Sequence, residues 1–104
     1  MQYRSPAVLL VSLVLAAATA HPTRADATKG SQLAQVWCAN CHVIDSKPNG
    51  AVAQGPPSFP TISRSGMTAD QLRAFLSHPH GAMPDLALSR AEIDDLIGYI
   101  ETLR

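Results

Sequence analysis

Apolar positions fall into four groups along the chain, and each group has its own spacing. The first, residues 7–18, is continuous apart from Ser12. The second places Leu33, Val36 and Trp37 at i, i+3 and i+4, one face of a helix predicted over residues 28–38. The third sets Leu72, Phe75 and Leu76 behind Thr68, with Gln71 completing a capping box, Met67 and Leu72 forming a hydrophobic staple, and Pro79 ending the helix. The fourth repeats Ile93, Leu96, Ile97, Ile100 and Leu103 at helical spacing. Ser89 and Glu92 form its capping box, and Leu88 faces Ile93 as its staple. From 43 to 66, Pro48, Asn49-Gly50, Gly55, Pro56, Pro57, Pro60 and Gly66 predict loop. No segment alternates as a half-buried strand would. The predicted fold is all-α, with three to four helices.

The continuous apolar run is of a different kind. Arg4 is the single charge of the first twenty residues, and Ala18-Thr19-Ala20 offers a small-x-small cleavage site. A basic start, a short apolar stretch and such a site describe a secretory signal peptide, since a membrane span needs about 20 apolar residues. Residues 1–25 are read as this leader, with cleavage after Ala20 or Ala25, and residues 26–104 as one domain.

Composition now changes the picture. Basic and acidic residues balance at 8 each, and loss of Arg4, or of Arg4 and Arg24, leaves the exported part faintly acidic. That excludes an electrostatic nucleic-acid binder and a polybasic membrane adsorber. Roughly 80 residues remain, close to the size at which one core barely offsets chain entropy. Aromatic residues make up 5% of the chain, so part of the core is expected from outside the polypeptide. A disulfide between the two cysteines would close a tiny loop and stabilise little.

Those cysteines carry the chemistry. Cys38-Ala39-Asn40-Cys41-His42 has the spacing that attaches haem covalently. Two thiols three positions apart can each add across a vinyl group on adjacent edges of a porphyrin, and the next residue, His42, is then held under the iron. Other chemistries share parts of this pattern. A redox-active dithiol wants a βαβ context. A zinc site needs four ligands, which Cys38, Cys41, His42 and one of His78 or His80 supply. A structural disulfide needs only the cysteines. Export favours haem, because attachment is completed outside the cytoplasm. Of three methionines, Met1 leaves with the leader and Met67 serves as a staple, whereas Met83 sits in a loop bent by Gly81 and Pro84 that can present a thioether to a metal. His78 and His80, on either side of Pro79, are read as solvent-facing loop residues.

On these residues the chain resembles the bacterial class I c-type cytochromes, small monohaem electron carriers, over residues 30–103. The resemblance implies a cytochrome c-like domain wrapped around one covalent haem c. It implies a first helix whose Gly30 packs against Tyr99 of the last helix, and a proline, Pro57 or Pro56, whose carbonyl holds His42. It implies thioethers at Cys38 and Cys41, with His42 and Met83 as iron ligands. Phe59 and Arg64 join the expected cofactor-binding residues. Ser63, Arg64 and Ser65 are candidate donors to a haem propionate. Gly98, beside Tyr99, is expected to face Gly30 where the two helices cross.

The function implied is one-electron transfer, not enzymatic turnover, by a periplasmic monomer that docks transiently with redox proteins. It uses no nucleic acid and keeps no membrane anchor after cleavage. An electron-entry subunit of a periplasmic dehydrogenase, oxidase or reductase, or a haem-based ligand sensor, would carry the same motif. Lys29 and Lys47 are the only lysines, so no lysine ring surrounds a haem edge. Because so little apolar surface is available without the cofactor, replacing both Cys38 and Cys41 with alanine should leave a chain with little cooperative unfolding. A sharp thermal transition with native helicity, read by circular dichroism, would contradict this.

Overall fold

The computed structural model describes residues 24–46, 55–78 and 80–104. The predicted leader lies outside them except for Arg24 and Ala25, as do Lys47, Pro48, Asn49, Gly50 and the helix-ending Pro79. Four helices occupy the described residues: α1 (Ala27–Trp37), α2 (Phe59–Arg64), α3 (Ala69–Ser77) and α4 (Arg90–Glu101). The architecture is all-α; the one β-type pairing among the described residues is an isolated bridge between His80 and Met83.

The starts of α3 and α4 are the predicted ones. Thr68 and Gln71 exchange side-chain and backbone hydrogen bonds, as do Ser89 and Glu92, so each helix satisfies two of its free N–H groups. Helix α1 begins and ends one residue earlier than expected. Its cap is Asp26, whose carboxylate accepts from the N–H groups of Thr28 and Lys29 at 3.0 and 3.1 Å. Helix α2 lies inside the segment read as loop. Ser58 caps it by accepting from Thr61 N–H at 3.2 Å. Pro60 occupies its first turn, where a missing N–H removes no intrahelical bond, so a residue read as a breaker is accommodated.

Helix α4 is the hub. Each helix pair in contact among the described residues includes it, and its pairing with α1 is the most extensive. Ile93, Leu96, Ile97 and Ile100 are buried along one stripe, each side chain contributing about 1.5–3 kcal/mol. Arg73 of α3 donates through Nε and Nη2 to Asp94 of α4 at 3.0 and 2.9 Å, and through Nη1 to Asp70 at 2.6 Å.

The face of α1 turned to α4 is not the predicted one. Gly30, Ala34 and Cys38 are buried, one turn apart, while Leu33 is half-buried and Val36 and Trp37 are 65% and 53% exposed. The reason is distance. A Cβ on Gly30 would overlap the Asp95 carbonyl and fall 2.9 Å from Tyr99 Cβ, so only the smallest residues fit here. Tyr99 thus packs where expected, but Gly98 does not face Gly30. A Cβ on Gly98 would meet Ala25 Cβ at 3.2 Å, ahead of the α1 cap.

The two glycines should therefore respond differently to substitution. Gly30→Val is expected to cost at least the roughly 1–3 kcal/mol typical of overpacking, because backbone blocks the new atoms. Gly98→Ala, which meets one methyl group and gains about 1 kcal/mol of helix propensity, should stay near wild type. Thermal melting of both variants checks this; equal losses would contradict the geometry.

Candidate functional site

The CxxCH motif forms the turn that ends α1. Cys38 is the C-cap residue, its N–H bonded to the Ala34 carbonyl. The N–H groups of Cys41 and His42 both donate to the Cys38 carbonyl, at 3.1 and 2.9 Å. These bonds coil residues 38–42 tightly and place both thiols and the imidazole on one short stretch. The thiols are free: Cys38 is buried in the core and Cys41 is exposed. Burial pushes the Cys38 thiol above its ordinary value, which disfavours the thiolate. A zinc ligand must be deprotonated, whereas a thioether sulfur is neutral and suits a buried position. Among the described residues no group of three His, Cys, Asp or Glu side chains is disposed to hold a metal.

His42 is half-buried, and its Nδ1 lies 2.8 Å from the carbonyl oxygen of Pro57. A carbonyl only accepts, so Nδ1 is the donor in this bond and Nε2, on the other side of the ring, takes no part in it. The backbone tie beside it runs from Phe59 N–H to the Val43 carbonyl at 2.9 Å, joining the chain after His42 to the start of α2. Phe59 is buried, and its ring centroid lies 5.6 Å from that of His42 and 6.3 Å from that of Tyr99. The Tyr99 hydroxyl donates to the Ile44 carbonyl at 2.7 Å. Sequence reasoning assigned Tyr99 to packing alone and missed this bond, whose acceptor is a backbone atom with no signature in residue type.

The remaining candidates lie elsewhere in the fold. Met83 is half-buried and closes a turn, its N–H donating to the His80 carbonyl at 3.1 Å, with Gly81 at a positive φ of 55°. Met67, by contrast, packs against the core. His78 is exposed, but His80 is not the free loop residue expected. Its ring meets Phe75 edge-on at 4.8 Å, and its Nδ1 lies 3.2 Å from the His78 carbonyl. Arg64 is exposed and lines an open pocket with Ser63, Thr68 and Arg104. Ser65 is used locally, its hydroxyl donating to the Ile62 carbonyl at 2.6 Å. The buried Ser63 hydroxyl has no hydrogen-bond partner among the described residues. An orphaned hydroxyl in a pocket also lined by two arginines fits a site for a carboxylate such as a haem propionate, and the two thiols, the His42 imidazole and the loop thioether fit the rest of that group.

Comparisons with known proteins identify the family of the chain. The family model described as cytochrome C oxidase, cbb3-type, subunit III matches residues 25–100. The chain is 42% identical over 99 residues to cytochrome c-552 of Bradyrhizobium diazoefficiens, an alignment covering 90% of this chain and 92% of that protein. No solved structure matches it. With a CxxCH turn at the end of its first helix and an all-α fold, the chain belongs to the c-type cytochromes, in the family of that subunit III domain, and carries covalently bound haem c for electron transfer.

Proposed function

We propose that the protein is a periplasmic carrier that passes one electron at a time between redox proteins, with both axial positions of its iron filled by its own side chains. When bound, the haem supplies the ferric/ferrous couple. Cys38 and Cys41 anchor it through thioethers, and His42 binds iron through Nε2 while Pro57 fixes the ring from the other side. The observation that carries this reading is the 2.8 Å contact from His42 Nδ1 to Pro57 O, which orients the ring and leaves the opposite nitrogen available to a metal. Met83 would supply a second iron ligand, from a turn held by its own backbone. Its uncharged thioether favours the ferrous state and so raises the potential.

Phe59, packed beside the His42 ring, would border the cofactor, and Arg64 and Ser63 would offer a propionate a positive charge and a hydroxyl donor. Two protein ligands leave no open coordination position for a substrate, which separates a carrier from an enzyme or a ligand sensor. Among the described residues no helix is long and apolar enough to cross a membrane. The leader read in residues 1–25 supports export to the periplasm, where the protein meets its redox partners. The match to a family described as an oxidase subunit favours a second reading in which the chain delivers electrons within such a complex. A subunit copurifies with its oxidase, whereas a carrier elutes alone.

Met83→Ala tests the axial assignment. Covalent haem should survive acid–acetone extraction in both wild type and variant. The variant should bind cyanide, azide and carbon monoxide readily, and its potential should fall. A sulfur bound about 99% of the time weakens external ligands about 100-fold, so affinity should rise by that order when it is removed. His78→Ala should change neither spectrum nor potential. If His78→Ala or His80→Ala opens the iron and Met83→Ala does not, the thioether assignment fails.

A further inference from the structure

Three polar ties hold the short segment from His42 to Ile44, and each arrives from a different place. The imidazole Nδ1–H of His42 reaches the Pro57 carbonyl at 2.8 Å, in the loop before α2. The Val43 carbonyl accepts from the first residue of α2, Phe59 N–H, at 2.9 Å. The Ile44 carbonyl accepts from the Tyr99 hydroxyl of α4 at 2.7 Å, across 55 residues of sequence. The rings of His42, Phe59 and Tyr99 follow one another at 5.6 and 6.3 Å, so apolar contact runs alongside the polar ties. Packing against Gly30 and Phe59 needs only the aromatic ring of Tyr99. Its hydroxyl does something separate: it fastens the backbone two residues beyond the imidazole to the hub helix.

We propose that Tyr99 is a positioning residue for His42, its hydroxyl setting how firmly the imidazole holds its hydrogen bond to Pro57 and thereby the potential of the haem. This rests on His42 being an iron ligand. With Ile44 anchored, the backbone on both sides of Val43 is fixed, and the imidazole cannot pivot away from the Pro57 carbonyl. A firm Nδ1–H bond makes Nε2 a more basic ligand. Greater donation to iron stabilises the ferric state and lowers the potential. Loss of the hydroxyl should loosen the segment, weaken the average bond and raise the potential.

The test uses the holoprotein. Tyr99→Phe keeps the ring and removes one oxygen. Exchange of the His42 Nδ1 proton, followed by nuclear magnetic resonance, should accelerate between about two- and tenfold, the factor a single neutral hydrogen bond supplies. The potential should move upward. Arg73→Gln is the control, because it breaks the α3–α4 ion pair without touching the His42 segment. It should lower the melting temperature and leave both readouts at wild-type values. The chain contains only two tyrosines, Tyr3 and Tyr99, so growth on 3-fluorotyrosine modifies position 99 alone within the described domain. Its more acidic phenol is a stronger donor and should slow the exchange, which keeps the question answerable if Tyr99→Phe folds poorly. Unchanged exchange and potential in Tyr99→Phe, or exchange unmoved by fluorination, overturns the positioning role. A wild-type spectrum without an iron-bound His42 imidazole overturns the ligand assignment instead.

Discussion

Everything in this domain is arranged around the near contact of two backbones, where α1 lies so close to α4 at Gly30 that a single added carbon would strike the Asp95 carbonyl. The closeness dictates the side chains on either side of it. Ala34 and Cys38 follow Gly30 on the buried face of α1, each small. Asp95, whose carbonyl blocks the glycine, also receives the Asp26 N–H on its side chain at 2.7 Å and so secures the entry to α1. Tyr99, one turn further along α4, rests against the same glycine and sends its hydroxyl to Ile44. The crossing of two helices is therefore continuous with the segment that carries His42. A cytochrome needs its ligand geometry to change little between oxidation states, and here the segment that carries the proposed ligand is tied to the most tightly packed part of the fold.

The turn proposed to supply the second iron ligand is built differently. Met83 belongs to a turn whose shape comes from Gly81 at positive φ and from the bond between Met83 N–H and the His80 carbonyl. Downstream, Ala87 adopts a φ of 49°, unusual for a residue with a side chain, with its N–H held by the Asp85 carboxylate at 2.9 Å. The turn meets α3 through the edge of the His80 ring against Phe75. The histidine side thus inherits its order from the core, and the methionine side generates most of its own from local turn chemistry.

Much of this was legible in the residues. Capping boxes are local, so Thr68–Gln71 and Ser89–Glu92 mark the starts of α3 and α4 without tertiary information, and the α4 stripe needs only its period. The CxxCH motif is local too. What failed depended on distance between elements. Leu33, Val36 and Trp37 make a good apolar face by periodicity, yet an interface this close admits only Gly30, Ala34 and Cys38, none of which stands out on a hydrophobicity pattern. Helix α2 was hidden because a proline in the first turn of a helix looks, in sequence, like one that ends it. Gly98 was paired with the wrong neighbour because helical phase alone does not tell which partner lies across. The Tyr99–Ile44 bond was invisible because its acceptor is main chain.

The position of the hub in the order of synthesis has its own consequence. Among the described residues α1, α2 and α3 touch α4 but do not pair with one another, and α4 is the last of the four to leave the ribosome. Until it emerges, the earlier segments have nothing to fold onto, and isolated helices of 11 residues or fewer are marginal in water. The nascent chain is therefore kept extended by its own topology. A polypeptide in that state can be threaded through a narrow translocation pore without first being unfolded, and Cys38, buried once α4 docks, is still within reach of whatever joins it to the cofactor.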